Sequence, residues 1–239
     1  MPYTIESRVR YSEIGRDRGL TIPGVIDYFQ DCGTFQAEDL GLGIDYMAKE
    51  QLANFLTSWH IVFHKFPYLG DKVMISTWAA EYKHLMAKRD FQMLDADSKP
   101  IIEAESEWVC MDLAEGRPIP FTDIMVERYG VEPELELKKT TRHIRLPKTM
   151  ESLESFPVLK HHIDTNDHVN NCQYISMALE MISRSSRIDE LRVEYRQSAV
   201  LGDVIYPRRS VSEDKAYIAL ENEDGVTYVN IEFKGELHV

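Results

Sequence analysis

Three residues in one short stretch carry complementary chemistry. In HHIDTNDHVNNCQYISMALEM, which begins at His161, a carboxylate (Asp164), a carboxamide (Asn166) and an imidazole (His168) occupy alternate positions. An imidazole can take up and return a proton near neutral pH, a carboxylate can assist it, and a carboxamide N–H can hydrogen-bond an oxygen that gains negative charge. If the backbone is extended there, side chains repeat with period two and the three project from the same side. Directly after them Tyr174, Met177, Ala178 and Met181 recur at i, i+3, i+4 and i+7, which predicts an amphipathic helix with Asn170 or Asn171 as its N-cap. The free N–H groups of a helix start would place an electrophilic end beside the row. Asp and Asn before a helix are also ordinary capping and turn residues, so the row alone does not separate a cap from a catalytic site.

The elements that must hold this row occur twice in the chain. WHIVFHKFPYLGDKVMISTW (Trp59–Trp78) has a counterpart in LRVEYRQSAVLGDVIYPRRS (Leu191–Ser210), in which a constant offset carries Gly70 and Asp71 onto Gly202 and Asp203, and Phe63 onto Tyr195. Both predict strand, turn, strand. A helix pattern precedes each copy. In the first, Thr21 is the expected cap, Pro23 lies in the first turn and Gly41 past the end, and Val25, Tyr28, Phe29, Cys32 and Phe35 are the expected buried face. Tyr28, Phe29, Phe35 and Met47 are expected to be core, with a minority lining a pocket. Further strands follow each copy; in the second, Asp224-Gly225 has the residue types of a hairpin turn, and Val229, Ile231 and Phe233 alternate with Tyr228, Asn230 and Glu232. One helix per half covers one face of a sheet, which predicts an α+β fold with two curved antiparallel sheets, each wrapped around a long helix. The charge- and proline-rich stretch 119–150 lacks a sustained period and is expected to connect 1–118 to 151–239. In the first half YSEIGRDRGLTIPG keeps the helix-opening pattern without the histidine or asparagine.

Composition excludes several classes. The formal net charge of −13 over 239 residues argues against a nucleic-acid partner. No apolar run is long enough to span a bilayer, and MPYTIESRVRYSE lacks the basic-then-apolar order of a signal peptide, so no stable membrane insertion and a cytoplasmic location are expected. Cys32, Cys110 and Cys172 are too few and scattered for a disulfide framework or a zinc knuckle and are expected in the core. HExxH, G-x-S-x-G and P-loop patterns are absent, so no metal is expected. Against the acidic background LKKTTRHIRLPK concentrates Lys138, Lys139, Arg142, Arg145 and Lys148, either as a solvated face or as a dock for an acidic partner.

The duplicated helix-plus-sheet pattern, with D-x-N-x-H-V-N-N-x-x-Y opening the second helix, RDFQMLDADSKPIIEAESEWVCMDLAEGRPIPF in the first half and VEYRQSAVLGD in the second, resembles the acyl-acyl carrier protein thioesterases over essentially the whole chain. That resemblance implies a tandem (double) hotdog, with an N-terminal hotdog in 1–118, a connector in 119–150 and a C-terminal hotdog carrying the catalytic row in 151–239. It implies hydrolysis of the thioester between a fatty acyl chain and the phosphopantetheine of acyl carrier protein, without a cofactor. Asp164, Asn166 and His168 match the family's catalytic residues. Plant members continue with a glutamate and a cysteine in the following strand, where this chain has Gln197 and Ser198; a glutamine can orient a water but cannot be its general base. Lys138, Lys139, Arg142 and Arg145 become candidates for docking the carrier protein. Self-association as a homodimer is compatible with the sequence. The alternatives are a thioesterase acting on coenzyme A esters, and a non-catalytic acyl-binding hotdog protein.

Overall fold

The computed structural model describes residues 1–238, and the chain divides into two units. The first comprises Met1–Thr57 and Ile61–Lys139, the second Ser58–His60 with the chain from Thr140 onward.

In the first unit β1 (Tyr3–Arg8) leads through a 3-10 turn at Tyr11–Glu13 into α1 (Ile22–Asp39) and α2 (Ile44–Lys49). Four long strands follow, β2 (Leu52–Phe63), β3 (Lys72–Lys83), β4 (Met86–Leu94) and β5 (Pro100–Asp112), then β6 (Arg117–Ile119) and α3 (Asp123–Tyr129). The strand order is β1-β3-β4-β5-β2, with β6 on β5, and α1 packs on β1 and β3. Thr21 caps α1, its hydroxyl accepting from the Gly24 amide at 3.2 Å, and Gly41 past the end takes φ +65°, a conformation that costs glycine little. Val25, Tyr28, Phe29 and Cys32 are buried, but Phe35 remains 47% exposed and Gln36 is buried in its stead, bonded to Arg89. At 100° per residue, position 36 continues the stripe from Val25 to Cys32 while position 35 falls at its edge.

The second unit opens with two short strands, β7 (Glu151–Ser152) and β8 (Phe156–Pro157), a 3-10 turn at Lys160–His162 and α4 (Asn171–Leu179). Strands β9 (Arg187–Tyr195), β10 (Val204–Val211), β11 (Lys215–Glu221) and β12 (Thr227–Glu236) complete it in the order β9-β12-β11-β10-β7, with β8 on β10. Helix α4 packs on β11 and β12, burying Tyr174, Met177 and Ala178, with Met181 just beyond its end also buried. Asn170 is the cap, its side chain accepting from the Cys172 amide at 2.8 Å. The Asp224-Gly225 turn closes β11 onto β12 with Gly225 at φ +75°. Strand β12 departs from the expected one-sided pattern: Val229, Ile231 and Phe233 are buried, and so are Tyr228, Asn230 and Glu232.

Residues 119–150 are shared between the two units, which divide at Lys139 and Thr140, and their later part covers that second face. Their first part contains α3, two turns long and so too short to show a period; Met125 on it is buried beside Leu42, Leu52 and Cys110. Beyond α3 the Glu132 amide bonds the Ala79 carbonyl, the Trp78 indole bonds the Pro133 carbonyl, and the Leu135 amide reaches the Asp90 carboxylate at 2.7 Å. Farther on, within the second unit, the Ile144 amide and His143 Nδ1 both reach the buried Glu194 carboxylate at 3.0 Å, joined by Asn230 Nδ2 and Arg196. Arg192, paired with Glu232, bonds the Thr141 carbonyl. Residues 141–144 thus lie over the polar face of β9 and β12.

The duplication holds hydrogen bond by hydrogen bond. The Val9 amide meets the Asp71 carbonyl as Val158 meets Asp203; Leu20 meets the Pro67 carbonyl as Val169 meets Ala199; Thr21 meets the Glu13 carbonyl as Asn170 meets His162. The Asp71 and Asp203 side chains accept from the Tyr68 and Val200 amides. Gly70 and Gly202 both have positive φ, at +88° and +94°.

The two carboxylates that hold the connecting segment respond to pH in opposite senses. Burial alone would raise the Glu194 carboxyl, but its hydrogen bonds from His143, Ile144, Asn230 and Arg196 win and hold it at about 2. At Asp90 burial wins over the Leu135 bond and pushes the carboxyl up to about 6. The Glu194 contribution is therefore present above the ordinary glutamate range and lost as pH falls toward 2, whereas that of Asp90 is present at low pH and lost as pH rises through 6. Glu194→Gln is expected to lower stability at pH 7 by about 3 kcal/mol, with the difference from wild type vanishing near pH 2. Asp90→Asn, which keeps an acceptor for Leu135, is expected to melt higher than wild type above pH 6. Thermal melts of the three proteins across pH 2–8 check both signs.

Candidate active site

The row does not lie on an extended strand. Residues 164–168 form a tight turn between the 3-10 turn and α4: the Asp164 amide bonds the His168 carbonyl at 2.9 Å, and Asp167, at φ +60°, bonds back to the Asp164 carbonyl. Ile163 and Val169 pair across its base. The expected period-two alignment of Asp164, Asn166 and His168 is thus replaced by a loop that brings the two ends of the row opposite one another. The cause is local: Asp164 Oδ1 accepts the Asn166 amide at 2.8 Å, the side-chain-closed turn that aspartate favours, and Asp167 tolerates the left-handed conformation.

Each candidate group has a distinct environment. Asn166 is exposed, its amide N–H held by Asp164 and its carboxamide at the tip of the turn. Asp164 and His168 are half-buried. His168 Nδ1 is buried and, among the described residues, without a hydrogen-bond partner, so no neighbour dictates its tautomer. At the start of α4 the Asn170 side chain takes the Cys172 amide and the Asn170 carbonyl takes the Gln173 amide. Two of the N–H groups that a bare helix start would offer are thereby occupied.

Gln197 and Ser198 are not within the following strand, since β9 ends at Tyr195; both are exposed in the loop toward β10. The amides of Arg196 and Gln197 converge on the Tyr228 carbonyl, Ala199 accepts from the Val169 amide at 2.9 Å, and Val200 bridges His168. Gln197 is three residues from the partner of His168, at most about 10 Å of extended chain. Asp164, Asn166, His168 and Gln197 therefore belong to two paired segments of one unit.

His161 and His162 lie in the 3-10 turn with their rings edge to face at 4.2 Å. His162 Nδ1 accepts the Leu159 amide at 3.0 Å, and burial, with His161 beside it, lowers its proton affinity. Its counterpart in the first unit is Glu13, which accepts the Arg10 amide in the same way. Lys138, Lys139, Arg142 and Arg145 are all exposed.

The first unit repeats the turn without its chemistry. The Gly15 amide bonds the Gly19 carbonyl, Arg18 at φ +67° bonds back to Gly15, and the Gly19 amide is met by the Asp17 side chain. Gly15, Asp17 and Gly19 stand where the second unit has Asp164, Asn166 and His168.

This architecture is shared with known proteins. The N-terminal domain of acyl-ACP thioesterases matches residues 2–129, and their C-terminal domain matches residues 147–235. The chain belongs to the acyl-ACP thioesterase family. It is 25% identical over 218 residues to an oleoyl-acyl carrier protein thioesterase of Arabidopsis thaliana, covering 82% of this chain and 60% of that protein. It is 26% identical over 221 residues to a palmitoyl-acyl carrier protein thioesterase of the same plant, covering 85% and 54%. This family member thus spans less than two thirds of the length of these two relatives. An acyl-ACP thioesterase structure from Bacteroides thetaiotaomicron superposes with a TM-score of 0.87 at 21% identity, covering 98% of this chain and 97% of that one. The 12:0-ACP thioesterase of Umbellularia californica gives 0.87 at 20% identity, covering 99% and 97%. The fold is the tandem hotdog of these structures.

The turn makes a prediction about the family member's row that is independent of activity. Asp164→Asn keeps an oxygen for the Asn166 amide and should leave its hydrogen exchange unchanged, whereas Asp164→Ala should accelerate it by roughly 10-fold, the scale of one lost hydrogen bond of about 1.4 kcal/mol. Amide exchange by NMR measures this directly.

Proposed function

We propose that this chain hydrolyses the thioester of a fatty acyl group carried on the phosphopantetheine arm of acyl carrier protein. The observation that carries the reading is the contrast between two copies of one hydrogen-bonded turn in a member of this family. One copy has glycine at both ends; the other has Asp164 and His168 there, with the Asn166 carboxamide at the tip.

In this reading His168 takes a proton from water as the water attacks the thioester carbon. Asn166 donates to the oxygen that becomes negative, a contribution of about 3 kcal/mol for a well-placed donor. The carbon–sulfur bond then breaks, and the proton on His168 passes to the departing pantetheine sulfur. Asp164, on the same turn, is the carboxylate that assists His168 in handling the water and the leaving thiol. Gln197 orders the water by hydrogen bonding. Lys138, Lys139, Arg142 and Arg145 attract the acidic carrier protein.

Thiol release from acyl-acyl carrier protein by the purified chain, unchanged by EDTA, is the expected result; release only from acyl-coenzyme A would shift the substrate assignment. His168→Ala and Asp164→Asn are expected to be slower by at least about 10²-fold, the scale of a lost acid–base group. Full activity in both would reduce the row to a helix cap.

A second set of variants addresses the substrate side. Charge reversal at Lys138, Arg142 and Arg145 is expected to raise KM for the carrier-protein substrate and to flatten its salt dependence, with little change toward a small uncharged thioester. An equal loss on both substrates would exclude docking as their role.

A further inference from the structure

The helix that follows the catalytic turn carries a tyrosine whose hydroxyl is aimed at a backbone group rather than at packing. Tyr174 is buried on α4, and its hydroxyl oxygen accepts the amide N–H of Ala199 at 2.7 Å. Ala199 is itself fully buried, and its carbonyl accepts the Val169 amide at 2.9 Å. The backbone of one residue, Ala199, therefore ties together three segments: the helix through Tyr174, the end of the catalytic turn through Val169, and the loop that carries Gln197. A buried N–H left without an acceptor is costly, so the hydroxyl dictates where this loop can settle.

The first unit provides the control. The Leu20 amide bonds the Pro67 carbonyl as Val169 bonds Ala199, and Thr21 caps α1 as Asn170 caps α4. Four residues beyond each cap stand Val25 and Tyr174. Where the second unit has Ala199, the first has proline, which has no N–H to offer. The hydroxyl and the amide it holds are both missing from the copy whose turn has glycines in place of Asp164 and His168, although the surrounding hydrogen bonds persist. The bond is therefore not required to build the turn and helix start; it accompanies the chemistry.

We infer that Tyr174 is a positioning residue: through the Ala199 amide it sets the loop bearing Gln197 against the turn bearing His168. This rests on the thioesterase reading of the same site. Burial first, then the nearby Tyr228, Asp203 and Asp164, push the phenol up to about 12 while the Ala199 bond opposes them. The hydroxyl stays protonated across the working range, leaving its oxygen a neutral acceptor.

Steady-state kinetics on acyl-acyl carrier protein with Tyr174→Phe, Gln197→Ala and the double variant, alongside His168→Ala, test the inference. Tyr174→Phe is expected to reduce kcat about 10-fold, the loss expected for Gln197→Ala, with KM changed less than about twofold. Because the tyrosine acts through the glutamine loop, the double variant should be no more than about twofold slower than Gln197→Ala alone. Ala199→Pro places in the second unit the residue that the first unit carries at this position. It should reproduce the kcat loss even if Tyr174→Phe folds poorly. Losses that multiply, or wild-type kcat in Tyr174→Phe or Ala199→Pro while His168→Ala is slow, would overturn the inference and leave the thioesterase reading standing. A His168→Ala enzyme as fast as wild type would remove the reading itself.

Discussion

The second unit depends on a backbone constraint: a five-residue turn must be closed on one side by its own hydrogen bonds and on the other by a loop from between two distant strands. Asp164 bonding His168 closes it internally; Val169 bonding Ala199 closes it against the loop. Backbone N–H and C=O groups withdrawn from water must find partners. Satisfying them fixes where the turn, the cap at Asn170 and the loop at Gln197 lie relative to one another. The functional groups inherit that arrangement. They are side chains on a frame that also closes in the first unit without them.

The same demand for partners explains the covered polar face of β12. A strand with Asn230 and Glu232 on one side would ordinarily turn that side to solvent. Here Glu194 and Arg192 on the neighbouring strand capture the backbone of Thr141, His143 and Ile144, and the segment seals the face while supplying the hydrogen bonds that water would have made. Asp90 does the corresponding work for Leu135 in the first unit. That site has one donor where Glu194 has several, which is why burial raises one carboxyl and hydrogen bonding lowers the other.

Duplication followed by divergence lets one structural solution serve two ends. The turn, cap and strand pair are retained in both units, down to the aspartates that bond the Tyr68 and Val200 amides. Among the differences that bear on the chemistry are Gly15 against Asp164, Gly19 against His168, Val25 against Tyr174 and Pro67 against Ala199. Residues free of a structural duty in one copy are where chemistry can be placed in the other.

The sequence by itself determined the duplication, the α+β class, the cap at Thr21, a second cap at Asn170 or Asn171, and the membership of Asp164, Asn166 and His168 in one stretch, because helix periodicity, capping and glycine turns are local properties written in adjacent residues. It also foretold most of the buried face of α1, failing at Phe35, where the drift of the helical stripe past the third turn decides exposure. It did not reveal α3, whose two turns are stabilised by Met125 packing against residues far away in the chain. It took the row to be extended, since alternation of residue types looks the same in a strand and in a turn closed by an aspartate side chain. The strap over β12, the displacement of Gln197 beyond the end of β9 and the bond from Tyr174 to Ala199 were decided only by tertiary structure. Each joins segments distant in sequence, and which buried donor meets which acceptor is settled by the packing of the whole unit.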